Sequence, residues 1–108
     1  MQKFGLDSQN SESLSGFELE IAKEQAESLG IAGKKLQESI DQFQLAIRDN
    51  ETESRQSALL AEIKTRVWAL IVQRELVGFR HETLSWVVAN FDIPEAALTE
   101  FQRDDLLR

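Results

Sequence analysis

Val67-Trp68-Ala69-Leu70-Ile71-Val72 is the longest apolar run in the chain. A helix turns by about 100° per residue, so six consecutive apolar side chains point in every direction around it. Such a helix must be covered on all sides or cross a membrane. Crossing takes about 20 apolar residues, and Lys64, Arg66, Arg74 and Glu75 close the run too soon. The run is therefore expected to be the centre of a helix from Leu59 to Phe79 in a small soluble protein, with other segments wrapped around it. Trp68, flanked by apolar residues, is expected in the core.

The chain has 108 residues, the size of one ordinary domain. Its 5 glycines and 1 proline leave few interruptions, and Glu, Gln, Leu and Ala favour helix. The charge is uneven. Residues 1–53 carry 11 acids and 5 bases, net −6, whereas 54–108 carry 8 acids and 7 bases, net −1. No cluster of Lys and Arg is present to displace counterions from nucleic acid or to bind an anionic membrane, so neither partner is expected. With no cysteine, disulfides and thiolate chemistry are excluded. The N-terminus has no secretory apolar core, and the expected location is cytoplasmic.

Residues 1–14 lack periodicity and read as a disordered tail, leaving one helical domain over 15–104. Ser15-Gly16-Phe17-Glu18 fits a capping box that would open helix 1. From there a stripe runs Leu19, Ala22, Ala26, Leu29, Gly33, Leu36, Ile40, Phe43, Ile47, with alternating steps of three and four. Gly30 and Gly33 interrupt it, each costing about 1 kcal/mol against Ala. Gly33 lies on the stripe, where it would let a neighbour approach; Gly30 lies off it and suggests a kink or a local cap. One helix over 16–48 would be about 50 Å long, against a radius of gyration near 13 Å for a compact chain. Either helix 1 bends at the glycines or the molecule is elongated and finds a partner.

Arg48 to Ser54 reads as a turn, with Asn50 and Glu53 forming a second capping box for helix 2. A short turn makes two long helices antiparallel neighbours. A third helix is expected from His81 to Asn90, with Leu84, Val87, Val88 and Phe91 inward. A fourth starts at Asp92-Ile93-Pro94-Glu95, with Ala97, Leu98 and Phe101 as its buried face. The fold class is all-α: a long antiparallel helical hairpin with two short C-terminal helices packed back on it.

Chemistry-bearing constellations are few. His81-Glu82-Thr83-Leu84-Ser85 opens like a zinc-protease motif but has Ser85 where the second histidine belongs, so no metal is expected. No Gly-rich phosphate loop or nucleophile elbow is present, and neither an enzyme nor a cofactor is expected. The second helix of the 81–101 segment carries acids where a DNA-reading helix would present bases. Arg74 interrupts the apolar helix and should pair with Glu75, Glu82 or a helix C-terminus, since an unpaired buried charge is expensive. The sharper alternative is an anion clamp formed by Arg74, Arg80 and His81. On helix 1, Phe17, Ile21 and Ile31 fall at about 160°, 200° and 120° from Leu19, away from the stripe. One neighbouring helix cannot cover both sectors, so these three residues are expected at a homodimer interface.

Leu29-Gly30-Ile31-Ala32-Gly33-Lys34-Lys35-Leu36, Val67-Trp68-Ala69, Gln73-Arg74-Glu75, Gly78-x-Arg80 and Ile93-Pro94 together resemble a family of short uncharacterised bacterial proteins, a domain of unknown function. The resemblance spans about residues 17–101. It implies a bacterial cytoplasmic helical protein without an assigned activity. The reading is a non-catalytic helical interaction or assembly module, homo-oligomeric or with an unidentified protein partner. Its alternative is a small-molecule or anion sensor built on Arg74, Arg80 and His81.

Overall fold

The structure, a computed structural model, describes the backbone of residues 6–99 and the side chains of residues 16–99. It is all-α, as the sequence pattern requires. Helix α1 spans Leu6–Arg48, α2 Glu53–Leu76 and α3 Thr83–Asn90, and residues 95–99 are again helical. α1 and α2 form the antiparallel hairpin; α3 and the 95–99 segment pack back on it.

α1 is continuous for 43 residues, about 65 Å at 1.5 Å per residue. That length matches the longest extent of the molecule, 65 × 31 × 18 Å. The elongated alternative is therefore the observed one, and neither glycine breaks the helix. A Cβ at Gly33 would touch the Phe91 ring at 3.5 Å, so the neighbour admitted there is the residue after α3. Gly30 has open space around it, and nothing in the structure explains it. The Ser15 cap is also not used: backbone helix already runs from Leu6. Residues 6–14 contain neither Pro nor Gly, so nothing stops α1 from extending through them.

Both long helices end in the same device. At the end of α1, Asn50 N–H donates to Ile47 C=O and Glu51 N–H to Ala46 C=O, with Asn50 left-handed at φ 54°. At the end of α2, Gly78 N–H donates to Glu75 C=O and Phe79 N–H to Arg74 C=O, with Gly78 at φ 112°. These are Schellman motifs, which satisfy the orphan carbonyls of a last turn and need a residue tolerant of positive φ. Asn50 thus terminates α1 rather than capping α2. The N-cap of α2 is Thr52, whose Oγ1 accepts from Arg55 N–H at 3.1 Å.

The core is a strip along the hairpin. Leu36 and Ile40 of α1, Ile63 and Val67 of α2 and Val87 of α3 are fully buried, with Ala97 beside them. At roughly 2–5 kcal/mol per large aliphatic side chain truncated to alanine, this strip holds the fold together. The stripe on α1 is used only from Leu29 to Phe43. Leu19, Ala22 and Ala26 are exposed, as is Ile47, while Ala46 takes the buried place at the turn. The cause is length: 24 residues of α2 reach about 36 Å, little more than half of α1.

Two further expectations need correction. Trp68 is 46% exposed and Val88 43% exposed. In the central run Val67, Leu70 and Ile71 face the core, while Trp68, Ala69 and Val72 face outward. The short helices cover only one flank of α2, so the run is not wrapped all round. Leu84, Val87, Phe91, Ala97 and Leu98 do turn inward; Phe101 lies outside the described residues.

Candidate functional site

Arg74 occupies the last turn of α2, where the helix dipole favours a cation. Because Phe79 is the last residue of the Schellman motif, its ring is carried back over the residue whose carbonyl its N–H reaches, and that residue is Arg74. The Arg74 Cζ lies 4.5 Å from the Phe79 ring centroid and 3.6 Å from that of Trp86 on α3. Trp86 meets Phe91 edge-on at 6.3 Å and 66°, which fixes its ring. The guanidinium is thus held by cation–π contacts to two rings, each worth about 0.5–2 kcal/mol depending on desolvation.

The expected ion pair with Glu75 or Glu82 is absent among the described residues, and Arg74 Nε is buried without a hydrogen-bond acceptor. Burial lowers the Arg74 pKa from its ordinary value; an arginine remains charged at neutral pH nonetheless. Of the partners expected for Arg74, the helix C-terminus is the one it meets, and ring faces stand in place of a carboxylate. The signal was available in the motif itself, since Phe at the second position beyond the cap is the residue that folds back on the helix.

Arg80 and His81 are exposed in the link between α2 and α3. Glu82 follows with a left-handed backbone, φ 53°, and no side-chain cap for α3. Thr83 takes over the local wiring, its Oγ1 donating to Phe79 C=O at 3.0 Å. Arg80 and His81 therefore lie near Arg74 in sequence but outside its aromatic clasp. No group of three or more metal-binding side chains occurs among the described residues.

A different surface lies on the opposite flank of the hairpin, away from the short helices. An open groove of about 440 Å³ is lined by Lys35, Glu38, Gln42, Arg55, Glu62 and Arg66, and a second of about 200 Å³ by Ile31, Ala32, Ala69 and Gln73. Arg66 Nε donates to Glu62 Oε2 at 2.9 Å inside α2, and the walls carry three bases and two acids. Ile31, 56% exposed, sits at the rim of the smaller groove. Phe17 and Ile21 lie on the half of α1 beyond α2, where every residue from 16 to 28 is exposed. The three expected interface residues are thus at the surface, but they do not form one patch: two are on the overhang and one is beside the hairpin.

The sequence matches a family of unknown function, DUF6665, over residues 8–102. The chain belongs to that family. The family assigns no activity to the surfaces described above. No curated protein and no solved structure matches the chain. No helix among the described residues is long and apolar enough to cross a membrane.

Proposed function

We propose that this member of DUF6665 is a non-catalytic assembly module whose copies join through exposed helical faces. The observation that carries the reading is the apolar surface that both long helices leave exposed, Trp68, Val72 and Leu76 on α2 as well as the α1 overhang. All residues from 16 to 28 are exposed, and Phe17 is 75%, Leu19 62% and Ile21 38% accessible. A monomeric protein rarely leaves large apolar side chains on both sides of one helix, and about half of α1 lacks a neighbour within the described chain. The reading needs no cofactor, metal or nucleic acid, and it places the module in the bacterial cytoplasm, as the resemblance implies. Light scattering after size exclusion tests it. The expected mass at about 100 µM, a concentration that reveals even weak pairs, is at least twice that of the chain; a single-chain mass would refute it.

The competing reading, a binder of small anions at Arg74, Arg80 and His81, draws support from one observation. Arg74 is held rigidly between two rings, and its Nε has no acceptor among the described residues. Titration with inorganic phosphate, followed by the guanidinium NMR signals, separates the two. Saturable shifts at Arg74 that vanish in Arg74→Met would favour the anion site; unchanged spectra favour the assembly module.

A further inference from the structure

The outer face of α2 has a composition that a solvated helix face does not. Ala58, Ala61, Thr65, Trp68, Val72 and Leu76 follow one another at steps of three or four, and all are exposed. They form one stripe opposite Leu59, Ile63, Val67 and Leu70. None is charged, and Ser54 and Ala69, on the same side, are uncharged too. The only hydroxyl in the middle of the stripe, Thr65 Oγ1, already donates to Ala61 C=O at 3.1 Å, so it can be dehydrated without losing a partner.

We propose that this face docks on the same face of a second copy, the two α2 helices running antiparallel with Thr65 beside the two-fold axis. The proposal rests on the assembly reading and names the surface that carries it. Two features select a second copy. The first is size. The stripe is small toward its N-terminal end (Ala58, Ala61) and large toward its C-terminal end (Trp68, Val72, Leu76). Antiparallel pairing about Thr65 brings Val72 and Leu76 level with the partner's Ala58 and Ser54, and Trp68 to within one residue of the partner's Ala61, so large meets small along the stripe. A parallel pairing would set Trp68 against its own copy.

The second feature is charge. α2 holds Glu53, Glu62 and Glu75 against Arg55, Lys64, Arg66 and Arg74, net +1, while the rest of a chain of net −7 carries −8. Association through α2 brings together the least repulsive parts of two acidic molecules. Beside the axis, the Glu62–Arg66 pair meets its own copy in reversed order, placing each Arg66 within a turn of the partner's Glu62. That arrangement is charge-complementary along one edge of the stripe.

The absence of cysteine makes the test direct. Thr65→Cys is prepared, with Ile21→Cys on the α1 overhang as the second variant, and each is oxidised by copper phenanthroline at about 100 µM. Facing Cα atoms of helices packed about 10 Å apart lie about 5 Å from each other, within disulfide reach. The expected result is a disulfide-linked dimer from Thr65→Cys and little from Ile21→Cys, together with a dimer mass for the unmodified chain that Ala61→Glu weakens at least tenfold. Ala61 is exposed, so that variant keeps its helical circular dichroism. Cross-linking at Ile21 and not at Thr65 would overturn the α2 face while leaving the assembly reading in place. A single-chain mass for the unmodified protein would overturn both.

Discussion

The two faces of α2 are built from similar residues and meet different surroundings. Inward, Leu59, Ile63, Val67, Leu70 and Ile71 are buried against α1 and α3. Outward, Ala58, Ala61, Thr65, Trp68, Val72 and Leu76 are exposed without a charge among them. The exposed half of α1 supplies the contrast, since Phe17, Leu19 and Ile21 there alternate with Glu18, Glu20, Lys23, Glu24 and Glu27. A face kept in water carries charges of this kind. Lack of charge on an exposed helix face therefore says more about a docking surface than the presence of single large apolar side chains.

The contrast can be broken at several points. Ile63→Ala on the inner face should cost about 2–5 kcal/mol, because Ile63 is fully buried and the core cannot collapse fully around the cavity. Urea melts at low protein concentration measure it; a loss below about 1 kcal/mol would mean that the inner face is not the core. Arg74→Lys should cost about 1–2 kcal/mol, since an ammonium cannot stack its plane between Phe79 and Trp86 as a guanidinium does. Arg74→Met should be milder, keeping the packed stem and removing the charge that burial disfavours. An equal loss in both variants would assign the effect to packing alone.

On α1, Gly30→Ala should stabilise by about 1 kcal/mol, because the position is helical and a Cβ there meets nothing. A destabilisation would show that the space at Gly30 is filled by something outside the described chain, such as a partner. The smallest effect is expected on the outer face. Trp68→Ala in dilute solution should cost less than about 1 kcal/mol, because half-exposed positions contribute little to a monomer. A loss comparable to that of Ile63→Ala would return Trp68 to the core.

The hairpin, the turn and most of the inward residues of the short helices, Val88 excepted, were legible because spacing decides which residues share a side of a helix. Which side is covered was not legible. The run at 67–72 is apolar all round, and periodicity gives no reason to prefer Val67 over Trp68 as its inward residue; the flank that the short helices choose decides it. Asn50 was misread because a residue tolerant of left-handed backbone and a side-chain cap are both written Asn in a turn. For Arg74 the helix C-terminus was legible but the aromatic clasp was not, because it depends on the ring of Phe79, which a glycine two residues after Leu76 swings back onto the helix. The continuity of α1 through Gly30 and Gly33 was also hidden, since their cost of about 1 kcal/mol each is small beside the packing of the strip they interrupt.

The central claim is that the inner face of α2 closes the fold and the outer face holds a second copy. Sedimentation equilibrium of the unmodified chain beside Ala61→Glu, from about 1 to 200 µM, tests it most directly. The account predicts a monomer–dimer equilibrium for the unmodified chain and a monomer throughout for Ala61→Glu, with the same helical circular dichroism. A unmodified chain that stays monomeric over that range, or an Ala61→Glu chain that associates as strongly, would contradict it.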